Sequence, residues 1–480
     1  MDMKLAQAAV DAALAAGADY ADARVNHTVH EELCIQNGAV AAAEAPEDSG
    51  VGIRVMKDGC WGFAAANVTE EAGVRELARR ALCVAEALVP ARSEPIRLAP
   101  LESGSASWTT PFEQDPFEVS LADKLALLKE AEASMDGAEE TVVKSAQLSS
   151  RREEQWMASS DGAQLYQNLL RCGAGITTTA AKNGIAQRRS YPASFGGNPR
   201  SAGFEHILGL DLAAHGERIR DESVLLCEAE PCPAGERDLI LMGNQLMLQI
   251  HESVGHPNEL DRVFGHEVDL AGSSFATTEK LGSFRYGSDL VNLVADSTIA
   301  GGLDTRGFDD DGVPSQRWHV VEKGIFKGYH TSREWADRID ESASRGTNRA
   351  EGWYNPPIIR ITNLSLMPGE WELDDLIADT EDGVLLDTVK MWSIDQRRLN
   401  FQFTSEIGWE IKDGEKTRIL RDPTYQGTTP EFWRSCDAIC NEKYWNLWGV
   451  ANCGKGNPMQ VAEMSHGAAP ARFRKMTFVR

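Results

Sequence analysis

Two histidines and a glutamate stand close together at His251, Glu252 and His256, in the pattern H-E-x-x-x-H. Neutral imidazoles bind zinc at about 2.0–2.1 Å without cancelling its charge. A bound zinc ion lowers the pKa of a water ligand towards about 7, and a neighbouring carboxylate can take a proton and pass it to a departing amine. The pattern therefore predicts a zinc-dependent hydrolase centre in which Glu252 is the general base.

The spacing of the two histidines requires an unusual helix. In the common zinc pattern H-E-x-x-H the histidines differ by about 40° around an α-helix, whereas a spacing of five residues corresponds to about 140°. Imidazoles that far apart reach one ion only if a π-bulge or an unwound last turn brings them together. We expect the distortion at Gly255, because glycine tolerates unusual backbone angles. A helix with one buried and one surface histidine explains the pattern alone equally well.

A catalytic zinc ion usually has three protein ligands and one open position, so a third ligand is needed. Spacing does not select it, and the candidates are Glu259, His266, Glu267, Glu279, His319, His330, His466 and any cysteine. Cys453 is distinctive because residues 452–458 predict a polar, glycine-containing loop in which a thiolate is accessible. Lys455, two residues away, favours the ionised thiol. The alternative is an ordinary loop cysteine.

The first half of the chain predicts helices packed on a sheet. Asn-Gly or Asp-Gly pairs stand at positions 37–38, 58–59, 161–162 and 183–184, and such pairs are typical of two-residue hairpins. Apolar residues at helical spacing around positions 5–13 and after Ser120 predict helices. Repeated hairpins indicate antiparallel pairing, so this half is predicted to be α+β, with helices on a twisted antiparallel sheet.

A domain boundary is predicted at residues 231–235, where two prolines and a glycine occur within five residues. We therefore expect an N-terminal α+β domain over residues 1–230. The remainder, residues 231–480, is predicted to be a β-rich domain that carries the helix with the histidines. Its strands are expected around residues 318–329, 383–394 and 400–411, with a hairpin at Asp413-Gly414.

The acidic composition limits the partners of the protein. The net charge is −25, from 48 basic and 73 acidic side chains, so phosphate backbones and anionic membranes are repelled and neither is an expected partner. Apolar runs fall short of the about 20 residues of a membrane helix, and residues 1–21 lack the features of a signal peptide. With nine dispersed cysteines, an odd number, these features predict a cytoplasmic protein.

Several stretches, taken in order, make the chain resemble the TldD side of the TldD/PmbA family of metallopeptidases. They are residues 37–38, 52–64, 251–256, 307–314, 345–363, 452–455 and 465–467. The resemblance runs nearly from end to end and is more specific than the histidine motif alone. One departure is Pro257, which stands where family versions have glycine or alanine, and proline changes the course of the backbone there.

The resemblance implies one zinc ion per active subunit, held by His251, His256 and Cys453, with Glu252 as general base. It also implies cleavage of extended or unfolded peptides, as in leader-peptide trimming or the degradation of small proteins. Members of the family form dimers that enclose the active site. A homodimer and a heterodimer with a PmbA-like subunit are both compatible with this sequence.

Other residues are weaker candidates for a functional role. Arg345, Arg349 and Arg360, together with Asn363, are predicted to bind substrate, because arginine can hold peptide carbonyls or a carboxylate; surface salt bridges are an equal alternative. Residues 309–311 are consecutive aspartates, and they predict a turn in preference to a calcium site.

Two functions compete with the peptidase: a zinc hydrolase of non-peptide amides or esters, and a non-catalytic regulatory subunit.

Overall fold

The computed structural model describes residues 3–102 and 104–480. Its helices are α1 Met3–Ala15, α2 Glu71–Leu88, α3 Leu121–Ala133, α4 Phe204–Gly209, α5 Leu212–Glu228, α6 Gly243–Ile250, α7 Leu260–Val263, α8 Leu373–Ala378 and α9 Thr429–Arg434. Its strands are β1 Tyr20–Gln36, β2 Ala39–Glu44, β3 Glu47–Lys57, β4 Cys60–Ala66, β5 Ser105–Thr109, β6 Thr141–Ser159, β7 Gln164–Lys182, β8 Ile185–Tyr191, β9 Glu230–Pro231, β10 Gly235–Leu241, β11 Leu293–Asp296, β12 Arg317–Glu322, β13 Ile325–Phe326, β14 Asn348–Arg349, β15 Ile358–Ile359, β16 Leu364–Leu366, β17 Asp382–Ile394, β18 Asn400–Lys412, β19 Glu415–Arg421, β20 Thr424–Thr428, β21 Cys436–Ile439, β22 Asn446–Lys455, β23 Gln460–Ala468 and β24 Ala471–Val479.

The first eight strands form one sheet with the order β4-β3-β1-β6-β7-β5, with β2 paired to β1 and β8 paired to β7. The four predicted hairpins join β1 to β2, β3 to β4, β6 to β7 and β7 to β8, and all four pairs are antiparallel. Asn37 and Gly38 both have positive φ, as a type I′ turn requires. Helices α1 and α2 bury their alanine- and leucine-rich faces against this sheet. The predicted α+β class is confirmed.

The second half is built around another large sheet with the order β17-β10-β24-β20-β18-β19-β9. Because β17 also pairs with β18, five of these strands close into a ring. A four-stranded sheet of β11, β12, β13 and β16 and the separate hairpin β22–β23 pack nearby. The largest core cluster fills the space between them and includes residues of α6. The sheets thus surround the helix that carries the histidine motif.

Buried ion pairs join the N-terminal sheet to the turn at residues 309–311. Arg24 lies 3.1 Å from Asp310, and Arg54 lies 2.8 Å from both Asp22 and Asp311. All of these side chains are almost fully buried. Asp310 and Asp311 therefore pair with arginines of the N-terminal sheet. Residues 309–311 form a turn that joins the two halves of the molecule, and the sequence favoured such a turn over a calcium loop.

Replacing Arg54 by methionine is expected to destabilise the protein by about 3–5 kcal/mol, because the buried carboxylates of Asp22 and Asp311 lose their ion-pair partner. Urea unfolding monitored by circular dichroism measures the change. Arg75→Met is the matched control, since Arg75 pairs with Glu71 on the exposed face of α2 and its loss has little effect. Equal stability of the two variants would contradict the role of the buried network.

Candidate metal centre

The helix that carries the motif changes its winding at the first histidine. After Ile250 the chain continues as one π-helical turn from His251 to Gly255. The His256 backbone N–H donates to the His251 carbonyl oxygen, which is the i to i+5 hydrogen bond of a π-helix. Residues five apart therefore lie one turn apart, and the two imidazole centroids are separated by 4.7 Å. Of the two predicted distortions, a π-bulge or an unwound last turn, the structure has the π-helical winding.

Gly255 suits this position for a different reason from the predicted one. Its φ of −60° and ψ of −68° are right-handed helical angles, which other residues also adopt. A Cβ atom at this position, however, would lie 2.7 Å from Cδ1 of Ile361, well inside carbon–carbon contact distance. The expectation of unusual angles is wrong, and glycine instead allows the π-turn to pack directly on Ile361.

The π-turn is held by side chains from other parts of the chain. A change of helical winding disturbs the regular pairing of backbone carbonyls. Tyr286 Oη donates to the Ser253 carbonyl oxygen at 2.5 Å, and Asn258 Nδ2 donates to the Val254 carbonyl oxygen at 2.7 Å. The indole N–H of Trp433 donates to Ser253 Oγ at 2.9 Å. These buried bonds stabilise a winding that helices rarely adopt.

His251, His256 and Cys453 bring three metal-binding atoms together. One ligand atom of each residue lies within 4.8 Å of the other two, and Cys453 Sγ is 3.4 Å from His256 Nε2. All three side chains are buried. Two imidazole nitrogens and one thiolate favour zinc over harder cations and leave a fourth position open.

Cys453 lies on a strand and not in the predicted loop. It belongs to β22 and pairs with Ala462 of β23, directly after a bulge at residues 451–452. The turn of this hairpin comes later, at residues 456–459. The thiol is buried, so the expectation of an accessible thiolate in a polar loop is wrong. Gly454 and Gly456, which follow Cys453, made this strand resemble a loop in the sequence.

The charges around Cys453 also differ from the prediction. Burial alone would raise the pKa of the thiol, but the nearby His256 imidazole and Arg360 guanidinium bring the pKa below its ordinary value. Lys455 does not point to the thiol: its Nζ bonds the Asp261 carboxylate at 2.7 and 2.8 Å. Arg360, which also donates to the Cys453 carbonyl oxygen, is the cation that favours the thiolate.

A chain of hydrogen bonds determines which nitrogen of His251 is free. His466 Nδ1 lies 2.8 Å from the Leu364 carbonyl oxygen, which can only accept, so this nitrogen carries the proton. Burial holds the pKa of His466 well below its ordinary value, so the ring is neutral and its Nε2 is an acceptor. His251 Nδ1 lies 2.8 Å from that Nε2 and must donate. The free lone pair of His251 is therefore on Nε2.

His256 is oriented in the same way by a carboxylate. Its Nδ1 lies 2.8 Å from Glu259 Oε2, which leaves Nε2 facing Cys453. Burial alone would raise the pKa of Glu259, but Lys455 and His256 hold it well below its ordinary value. Lys455 in turn pairs with Asp261. Outer partners of this kind fix the tautomer of metal-binding imidazoles, so the donor set fits a zinc ion.

Glu252 lines the same cavity as the three ligands. Its carboxylate bonds the guanidinium of Arg398. Burial alone would raise the pKa of Glu252, but Arg398 and the two imidazoles bring it below its ordinary value, so the side chain is ionised. Sequence reasoning missed Arg398, because it follows β17 in a turn 146 residues away from Glu252 and no motif marks it.

The cavity around these residues has a volume of about 150 Å³. Ser194 and Phe195 from the N-terminal half line it, together with Trp392, Arg398 and residues 449–454. A second cavity of about 530 Å³ shares Phe195 and residues 451–452 with the first. The metal-binding group therefore lies at one end of a longer cleft between the two halves of the chain.

The remaining ligand candidates are placed outside the group. Glu259 and His466 contact the ligand imidazoles through their outer nitrogens. Among the described residues, the group of metal-binding atoms does not include His266, Glu267, Glu279, His319 or His330.

The four residues predicted to bind substrate have partners within the protein. Arg345 pairs with Glu341 at 2.7 Å. Arg349 donates to the Glu463 carbonyl oxygen at 2.9 Å, and Arg360 donates to the Gln460 carbonyl oxygen at 3.0 Å. The side-chain oxygen of Asn363 accepts two backbone N–H groups. None of the four lines the cavity of the metal-binding group, and their role towards substrate stays a prediction.

Three family models cover most of the chain. The PmbA/TldA metallopeptidase domain 1 matches residues 21–83, the central domain matches residues 114–225, and the C-terminal domain matches residues 238–480. The predicted boundary near residue 231 falls between the central and C-terminal matches. The division into two domains remains a prediction.

Individual proteins agree with these matches. A metalloprotease of Methanocaldococcus jannaschii is 29% identical over 441 residues, which are 91% of this chain and 92% of that protein. The structure of a proposed modulator of a DNA gyrase from Thermotoga maritima has a TM-score of 0.79 at 18% identity, covering 99% of both chains. TldE from Thermococcus kodakarensis has a TM-score of 0.73 at 18% identity, also covering 99% of both. The chain thus belongs to the PmbA/TldD metallopeptidase family.

Proposed function

We propose that this protein is a zinc-dependent peptidase that hydrolyses peptide bonds in extended or unfolded peptides. The observation that carries the proposal is the convergence of His251, His256 and Cys453 beside the ionised carboxylate of Glu252 in one cavity. A purely structural zinc site needs no such carboxylate and usually has four protein ligands. The name of the Methanocaldococcus jannaschii relative supports the same class of reaction.

In the proposed mechanism Nε2 of each histidine and Sγ of Cys453 would hold one zinc ion. When bound, zinc supplies positive charge that activates water and polarises a carbonyl group. Glu252 takes a proton from the attacking water and returns it to the departing amine. Arg398 holds the Glu252 carboxylate on the cavity side. His466 and Glu259 keep the two imidazoles in the orientation that exposes Nε2.

The edge of β22 supports an extended peptide as the substrate. β22 pairs with β23 on one side, while residues 449–454 line the cavity. The ladder with β23 skips the bulge at residues 451–452, so backbone groups there are available for other partners. A peptide in extended conformation can hydrogen-bond such an edge, and the cleft continues into the second cavity beyond Phe195.

Two other functions remain as alternatives. A zinc hydrolase of non-peptide amides uses the same ligands and base, and the small volume of the inner cavity is compatible with it. A non-catalytic partner subunit is suggested by the likeness to TldE, but that role does not explain the Glu252 carboxylate next to three ligands. We therefore prefer the peptidase.

We also propose that the active form is a dimer, either of two identical chains or with a PmbA-like subunit, because the family includes TldE-type proteins of the same fold.

Among residues 3–102 and 104–480, the helices are too short or too polar to cross a bilayer. The predicted cytoplasmic location and the exclusion of nucleic acid rest on the sequence.

Glu252→Gln is expected to lower peptide cleavage by about 10²- to 10⁴-fold, because the amide cannot accept the proton, while bound zinc stays unchanged. The measurement combines mass spectrometry of fragments from an unfolded polypeptide with metal analysis of the same sample. Glu279→Gln, at an exposed position, is the control and should cleave normally. Cleavage by Glu252→Gln at the parent rate would overturn the assigned base.

Cys453→Ser is expected to reduce the zinc that remains after dialysis, because a hydroxyl does not replace a thiolate as a soft ligand. Cys83→Ser is the matched control, since Cys83 is an exposed cysteine. The zinc content of both proteins is determined by atomic absorption. If both variants retain one ion per chain, Cys453 is not a ligand.

His466→Ala is expected to weaken zinc binding by about 10- to 100-fold, because His251 loses the acceptor that fixes its tautomer. The affinity is measured by competition with a chromophoric chelator, and His319→Ala serves as the control. Native circular dichroism of the variant together with unchanged affinity would contradict the role of His466.

A further inference from the structure

Two exposed aromatic side chains meet at the mouth of the inner cavity. Phe195 follows β8 in the N-terminal half, whereas Trp392 lies near the end of β17. Their ring centroids are 5.4 Å apart in an edge-to-face arrangement, although 47% of Phe195 and 42% of Trp392 is exposed. Both line the cavity of the metal-binding group, and Trp392 is close enough to Glu252 to help lower its pKa. Large aromatic side chains left exposed beside a reactive centre indicate a binding surface.

The backbone holds Phe195 in an unfavourable conformation. Its φ of +59° is in the left-handed region, which non-glycine residues rarely adopt. Gly197 follows, and a Cβ there would lie 1.9 Å from the Ala174 carbonyl oxygen of β7. The loop backbone two residues after Phe195 is therefore packed tightly on β7, which restricts movement of the loop that carries Phe195. Strain of this kind persists where the surroundings impose it and is concentrated at functional sites.

Ser194, next to Phe195, offers a free polar group to the same cavity. The residue is 3% exposed, and its Oγ has no hydrogen-bond partner among the described residues. Buried hydroxyl groups are nearly always hydrogen-bonded in proteins. A ligand in the cavity would supply the missing partner.

We propose that Phe195 and Trp392 form a subsite for an apolar side chain of the substrate residue beside the scissile bond, and that Ser194 hydrogen-bonds the backbone of that residue. The proposal rests on the peptidase function and adds to it a preference for one class of residue. Met247 and Leu248 continue the apolar wall inward. The inner cavity of about 150 Å³ is below the usual range for a whole ligand, which suits a single side chain.

The residues that line both cavities indicate the path of the rest of the peptide. Phe195 belongs to both cavities, and residues 451–452 connect them. A chain that places one side chain between the aromatic rings can therefore continue past Phe195 into the larger cavity.

Cleavage mapping of the zinc-loaded full chain tests the subsite. An unfolded polypeptide is digested and its fragments are identified by mass spectrometry over time. The parent protein is expected to cut beside Leu, Met or Phe at least about tenfold faster than beside Ser or Asp, the scale on which apolar pockets discriminate. Phe195→Ala and Trp392→Ala should reduce that preference at least fivefold, whereas Phe112→Ala, at another exposed aromatic, should retain it. An unchanged preference in both variants would overturn the proposal.

Binding to the Glu252→Gln protein separates this inference from the peptidase function. Calorimetry compares N-acetyl-phenylalanine amide with N-acetyl-serine amide, and the first is expected to bind at least about tenfold more tightly. Ser194→Ala should weaken the binding of both amides, because it removes a hydrogen bond to the shared backbone. Selective binding without cleavage by the parent would reject the peptidase and support the subsite. Cleavage by the parent with equal binding of both amides would reject the subsite and support the peptidase.

Discussion

The π-turn between His251 and Gly255 is the constraint on which the centre depends. An α-helix would separate the two imidazoles by about 140°, and the wider turn places both beside Cys453. A π-turn is not stable by itself, so its stability comes from the side chains that bond its backbone and from the contact of Gly255 with Ile361. These partners lie outside the ring of strands: Tyr286 precedes β11, Asn258 directly follows the π-turn, and Ile361 lies between β15 and β16.

Behind His256, buried side chains of alternating charge follow one another away from the proposed metal site. His256 contacts Glu259, Glu259 contacts Lys455, and Lys455 contacts Asp261. Each ionised group thus has an opposite partner, which is the condition under which charges tolerate burial. His251 is oriented by a hydrogen bond to His466, which is a neutral group and not a charged one. The geometry of the ligands is therefore encoded by residues in several distant segments.

The sequence predicted the features that depend on interactions between residues close together in the chain, such as helix winding and tight turns. The five-residue spacing of the histidines required a distorted helix if both were to reach one ion. The Asn-Gly and Asp-Gly pairs located the hairpins, and three of the four pairs have positive φ at both residues. In the Asp161-Gly162 pair, Gly162 alone has positive φ. Contacts between residues far apart in the chain could not be predicted from sequence spacing. Arg398 reaches Glu252 from a distant turn, and Ser194 and Phe195 arrive from the other half of the chain. Cys453 was predicted in a loop, although it lies on β22, because nearby glycines and a bulge interrupt the sequence pattern of a strand.

The distance along the chain between the ligands has a consequence for the order of events during biosynthesis. His256 and Cys453 are 197 residues apart, and the cysteine lies on the β22–β23 hairpin, far along the chain from the π-turn. An ion held by all three residues closes that long loop. The complete coordination set cannot exist on a ribosome-bound fragment that stops short of the hairpin. For the proposed zinc site, the full set of three ligands therefore forms only after the β22–β23 hairpin has docked beside the π-turn.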